Sequence, residues 1–193
     1  MVWRGSNALP SWSWQGCEGK KAVVEVYAAA PAARITLYLN GKQVDQKPVK
    51  ECRALFKVTY APGTLEAAAL DAAGRELGRS RLRTATGQIQ IAARPEQPSV
   101  RPGGIAYIPI TLEGTDGVVE SNADRTLTVH VEGGTLLAFG SANPRTEERF
   151  DSGVYTTYYG RALAVVQAGQ SGAVKLTIQD DQQNECGIIA ITE

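Results

Sequence analysis

Five aromatic residues are the side chains best placed to contact a ligand. Trp12 and Trp14 stand near the start of the chain, and Tyr155, Tyr158 and Tyr159 cluster further on. In an extended segment, residues two apart point to the same side, so Trp12 and Trp14 would present two co-facial indoles. Such a pair can stack on the flat C–H face of a sugar ring, and the three tyrosines make a second candidate of that kind. The competing reading is packing, because Trp and Tyr bury large areas and anchor cores and interfaces.

Other chemistry finds little support. His130 is the single histidine and sits in an alternating segment. A Ser-His-Asp arrangement needs a histidine held by a carboxylate and facing a nucleophile, which a lone strand histidine does not provide. Asp124, Asp180 and Asp181 supply the oxygen ligands calcium takes, but not at EF-hand spacing. Pro102-Gly103-Gly104 lacks the Lys and helix of a phosphate-cradling loop. Cys17, Cys52 and Cys186 are too few and too far apart for a disulfide framework or a zinc knuckle. Free thiols are the expected state, with a Cys17–Cys52 bridge the alternative. No catalytic residue, metal site or cofactor is read from the residues themselves.

Charge narrows the partners. Twenty Lys and Arg balance twenty Asp and Glu, and the signs interleave, as in Arg145, Glu147, Glu148 and Arg149. A nucleic-acid partner needs a basic patch to neutralise phosphates, so none is expected. No apolar run approaches the roughly 20 residues that span a bilayer, so no membrane partner is expected either. The first ten residues lack the charged-then-apolar layout of a signal peptide.

The elements that must position these residues are strands. Ala22-Val-Val-Glu-Val-Tyr27, Arg34-Ile-Thr-Leu-Tyr-Leu39 and Phe56-Lys-Val-Thr-Tyr60 alternate and favour β-branched and aromatic residues. Asn40-Gly41 tolerates positive φ at both positions and predicts a hairpin. Thr64 to Leu70 is Ala-rich, yet it lies between two Gly-containing turns and is short, so it reads as a strand despite its helix propensity. A second pattern starts at Gln88-Ile-Gln-Ile91. It continues through strands predicted at 105–112, 127–131, 136–139, 162–167, 174–178 and 187–191, with Gly114-Thr-Asp-Gly117 and Gly133-Gly134 among the turns. Residues 143–154 form the longest stretch without strand character, and long loops in compact domains are commonly functional or docked. Many short strands divided by turns define an all-β sandwich or barrel. The expectation is two consecutive immunoglobulin-like β-sandwich domains, 1–87 and 88–193. An (α/β)8 barrel needs about 250 residues and does not fit.

Several segments in order also resemble a known family. Leu9-Pro-Ser-Trp12-Ser-Trp14-Gln-Gly16-Cys-Glu18-Gly19-Lys20, Leu37-Tyr-Leu39-Asn40-Gly41-Lys42, Tyr60-Ala-Pro62-Gly63-Thr-Leu65 and Asp71-Ala-Ala-Gly74 resemble the domain that follows the catalytic barrel in many family 2 glycoside hydrolases, the β-galactosidase group. Leu137-Ala-Phe139-Gly140-Ser-Ala-Asn143-Pro144 and Tyr158-Tyr-Gly160-Arg161-Ala162 resemble the next immunoglobulin-like domain of those enzymes. One departure is that Gln43-Val44-Asp45-Gln46 replaces a usual Leu-Gly pair. In the family, two barrel glutamates carry retaining hydrolysis. No Glu here matches those motifs, so the resemblance implies a non-catalytic accessory region. Its partner would be an upstream barrel of the same chain, with galactoside-type glycans as the other candidate partner. The alternatives from other classes are a carbohydrate-binding module and a cell-surface adhesion or spacer tandem.

Overall fold

The computed structural model describes residues 7–170, 173–182 and 184–192, with side chains up to residue 187. The described residues form fifteen strands and no helix. They divide into two compact units, Met1–Thr84 and Ala85–Glu193. Thr84 belongs to the first because its hydroxyl donates to the Trp12 carbonyl (2.7 Å) and accepts from Gly63 N–H (3.0 Å). Ala85 packs against the core of the second, and the Thr86 carbonyl accepts from Thr115 N–H (2.8 Å).

The first unit contains β1 (Lys21–Tyr27), β2 (Arg34–Leu39), β3 (Lys42–Pro48), β4 (Arg53–Thr59), β5 (Thr64–Leu70) and β6 (Glu76–Arg83). One sheet is the antiparallel pair β1-β4, and the other has the order β3-β2-β5-β6. Alternation decides the inner face: Ala54, Phe56 and Val58 of β4 are buried while Leu55, Lys57 and Thr59 point out. They meet Ile35 and Leu37 of β2 and Leu65 of β5 in one core, which also takes in Trp12 and Tyr60. The Ala-rich segment is a strand, as its flanking turns demand, and Ala68 is buried.

The Asn40-Gly41 turn joins β2 to β3 with φ of 52° and 76°, the left-handed values of a type I′ turn. Asn40 does more than turn the chain. Its side-chain oxygen accepts from Thr64 N–H (2.8 Å) and its amide donates to the Pro62 carbonyl (3.0 Å), which ties this turn to the next. Gly63 (φ 127°) is what lets the two turns meet, since a Cβ there would lie 1.9 Å from that oxygen.

The second unit contains β7 (Gln90–Ala93), β8 (Ser99–Val100), β9 (Ile105–Glu113), β10 (Thr126–Glu132), β11 (Gly134–Gly140), β12 (Val154–Thr156), β13 (Arg161–Ala168), β14 (Ala173–Asp180) and β15 (Glu185–Thr192). Its sheets run β11-β13-β9-β7 and β12-β10-β14-β15-β8. β7 pairs antiparallel with β9 in one sheet, and β8 pairs parallel with β15 in the other. The first strand of the sandwich is thus shared between both sheets. Ile108, Ile110, Leu112, Leu127, Leu176 and Ile178 fill the space between them. Both units are β-sandwiches of immunoglobulin-like arrangement.

Candidate functional site

The two tryptophans part company in the structure. Trp12 is 3% exposed and belongs to the first unit's core. Its ring meets Tyr60 edge-on, with centroids 5.0 Å apart and planes at 63°. Its indole N–H donates to the Ala61 carbonyl at 3.1 Å. Trp14 is half-buried against the same core, and its backbone N–H donates to the Tyr60 hydroxyl at 3.1 Å. These bonds staple the segment before β1 across the end of the sandwich. A co-facial sugar platform built on Trp12 and Trp14 is therefore corrected: the Trp12 faces are used up by protein, because burying an indole gains more than exposing it.

The tyrosine cluster splits in the same way. Tyr155, on β12, is fully buried. Its ring stacks on Phe150 (centroids 5.2 Å, planes 10° apart) and meets Phe139 edge-on at 6.4 Å. Phe150 comes from the long loop 143–154, so this stack is how the loop docks on the sheet. It requires Gly140, where a Cβ would lie 2.3 Å from the Phe150 ring. Tyr155 is thus also removed from the sugar-contacting set. Phe150 is 56% exposed and was not singled out by sequence. A lone Phe in a charged loop gives no alternation signal.

Tyr158 and Tyr159 remain at the surface. Both are half-buried, with ring centroids 4.3 Å apart. Tyr159 (φ 52°) and Gly160 (φ 67°) are the central residues of a tight turn into β13, closed by Tyr158 N–H to the Arg161 carbonyl at 2.9 Å. Both positive φ values make it type I′. Gly160 N–H donates to the Asp124 carboxylate at 2.9 Å, and the Thr157 hydroxyl donates to the same oxygen at 3.3 Å. Asp124 is thereby a turn clamp. The pair is a rigid aromatic knob on the second unit, whereas the tryptophans belong to the first.

Retaining acid/base work needs a pair of carboxyls, one of them protonated. Glu113 is buried, accepts both guanidinium nitrogens of Arg94 (2.6 and 2.7 Å) and the Thr111 hydroxyl (2.6 Å). The Arg94 bonds hold its carboxyl below the usual range. Asp180 accepts from Arg125 (2.6 Å), Asn184 N–H and Nδ2 (both 2.8 Å) and Gln182 N–H (2.9 Å). Burial alone would raise its pKa, but the Asn184 and Arg125 bonds outweigh burial and lower it. Glu148 follows the same logic, burial being overcome by the Thr156 and Thr146 hydroxyls. A general acid needs a raised pKa. These groups are instead held ionised, each serving a turn or an ion pair. Among the described residues no group of three or more His, Cys, Asp or Glu could hold a metal ion. His130 is exposed on β10, and the three cysteines are free.

The fold and its surface define a tandem of immunoglobulin-like sandwiches. Comparison with known proteins places it. Residues 85–187 match the family model described as glycoside hydrolase family 2 C-terminal domain 5, and residues 19–78 match a domain of unknown function, DUF4982. The chain belongs to the family 2 glycoside hydrolases, as a C-terminal region. It is 27% identical over 177 residues to the β-galactosidase BoGH2A of Bacteroides ovatus, covering 89% of this chain and 20% of that protein. A family 2 glycosyl hydrolase from Bacteroides cellulosilyticus superposes with a TM-score of 0.85 at 27% identity, over 95% of this chain and 26% of that one. A β-glycosidase from Bacteroides vulgatus shares the fold, with a TM-score of 0.78 at 24% identity, over 95% and 24%. The chain spans about a fifth to a quarter of these relatives.

Proposed function

We propose that this chain is the non-catalytic C-terminal region of a β-galactosidase-like family 2 glycosidase, supporting hydrolysis by an upstream barrel. The observation that carries the reading is coverage: nearly the whole chain aligns, yet with only a small share of each hydrolase it matches. The carboxylate chemistry points the same way, since Glu113, Glu148 and Asp180 are each committed to structure and depressed in pKa. Retaining hydrolysis needs two carboxyls facing a sugar, one of them protonated. The test is turnover of a chromogenic β-galactoside. The purified 193-residue chain is expected to match the buffer blank, and the full polypeptide encoded by its gene to release product. Turnover by the short chain above the blank would overturn the reading.

A second reading is glycan contact at Tyr158 and Tyr159. Their half-exposed rings on a rigid turn are the observation that favours it. Galactoside or galactan titration, followed by tyrosine ring NMR shifts, tests it. Shifts that vanish in Tyr158→Ala support contact, and a flat titration rejects it.

A further inference from the structure

The two sheets of the second unit present different faces to water. In an antiparallel sandwich the inward residues of a strand are apolar and the outward ones polar, because only the inward set leaves water. The sheet containing β10 and β14 follows this rule. Its outward cross-strand pairs are Thr128 with Gln179, His130 with Thr177 and Glu132 with Lys175. The sheet β11-β13-β9-β7 departs from it. Its strand β13 buries Ala162, Ala164 and Val166, and so turns Leu163 and Val165 outward. Val165 pairs with Ala138 of β11 on one side and Tyr107 of β9 on the other. Leu163 pairs likewise with Gly140 and Pro109. These two adjoining rows across three strands contain no charged side chain. Ile105 extends them along β9, and Phe150 extends them at Gly140, against which its ring lies. Tyr107 and Leu163, at the centre, are 47% and 39% exposed.

An apolar sheet face is costly in water, and a contiguous patch of this kind marks an interaction surface. Polar groups frame it. Arg161 and the Arg94–Glu113 pair stand at one end, with Gln167 and Thr135 at the other. An apolar centre inside a polar rim is the anatomy of protein–protein contacts, and permanent contacts are more apolar than transient ones. Chain length supplies the permanent partner. The region that this chain matches makes up 20–26% of the relatives, whose remaining length lies outside it. Tethered polypeptide meets such a face at an effective concentration on the order of millimolar, far above that of a free second copy.

We infer that the outward face of β9, β13 and β11 is the docking surface for the upstream catalytic domain of the same polypeptide. This deepens the proposed function and rests on it. The docked domain covers Tyr107, Leu163 and Val165 and adds a third layer to the sandwich. The outward face of β10 and β14 stays in water.

Hydroxyl-radical footprinting tests it, comparing the 193-residue chain with the full polypeptide encoded by its gene. Oxidation of Tyr107 and Leu163 is expected to fall about fivefold or more in the full polypeptide, because the centre of an interface excludes water. His130, outward on the polar sheet, should be oxidised equally in both forms and serves as the internal control. The double variant Tyr107→Glu, Leu163→Glu should raise oxidation of Ile105 in the full polypeptide to its level in the short chain. Both substituted side chains are exposed in the short chain, so its thermal transition should survive and serve as the folding control. Equal oxidation of Tyr107 and Leu163 in the two forms would overturn the docking surface. Protection that needs a rising protein concentration, in either form, would assign the face to a second copy and overturn it equally. Failure of the functional reading would look different: the full polypeptide would show no glycosidase activity, whatever the oxidation pattern.

Discussion

Trp12 and Tyr155 illustrate how little a residue type says about its role until its neighbours are known. Each was a candidate for stacking on sugar, and each is a core anchor with its ring faces occupied. Trp12→Ala should cost about 3–5 kcal/mol, as removal of a buried indole usually does. Trp14→Ala, at a half-buried site, should cost less than half as much, and urea denaturation of the two variants measures the difference. Equal losses would mean that Trp14 is as deeply seated as Trp12. Charge gives a second prediction at this scale. Arg125 and Asp180 are 12% and 0% exposed in their side chains. Removing one partner of such a buried pair typically costs about 3–5 kcal/mol, because the other charge stays buried alone. The folded pKa values of Asp180 and Glu113 lie below their ordinary values of 3.8 and 4.5. Their contribution is therefore present above those values and is lost as pH falls through the folded ones. Stability of the second unit, read by urea midpoint, should decline as pH drops from about 5 towards 2. Asp180→Asn should flatten part of that decline, and an unchanged slope would assign it to other groups.

Turns govern the element scale. Gly160 holds φ 67° with its Cα against the Glu120 carbonyl, where a Cβ would approach to 2.3 Å. An L side chain there meets both the left-handed penalty and a backbone clash, so Gly160→Ala should destabilise by about 2 kcal/mol or more. Differential scanning calorimetry measures it, and a transition within a degree of wild type would show that the turn can shift to make room. Asn40→Ala removes two turn-to-turn hydrogen bonds and should cost about 1–3 kcal/mol. Strand legibility followed the same local physics. β4, β13 and β14 alternate cleanly because one face is core and the other water, and their patterns are visible without a structure. β6 is the contrary case. Its sequence Glu-Leu-Gly-Arg-Ser-Arg-Leu-Arg carries no alternation, and nearly every residue is exposed. It is a strand because β5 pairs with it and because Glu66 and Glu76 neutralise Arg81 and Arg79 (2.7 and 2.8 Å). A charged edge strand of this kind resists unwanted pairing, and composition alone does not reveal it.

At the scale of the whole molecule, two cores imply two folding units. Expressed alone, Ala85–Glu193 should unfold in one cooperative thermal transition, since its core draws no residue from before Ala85. A broad, non-cooperative melt of that segment would show that the second unit depends on the first. In the full chain, Trp12→Ala should speed amide exchange in β1 to β6 and leave β9, β13 and β14 protected.

Period-two alternation, Asn-Gly and Gly-rich turns and the order of the family-like segments made the all-β class and the family legible from sequence, because these signals are local and repeat along the chain. The sequence also marked the aromatic residues as important. Which of them are core and which are surface was decided by tertiary structure alone. Burial depends on what comes to lie against a ring from far along the chain, as Tyr60 does against Trp12 and Phe139 against Tyr155.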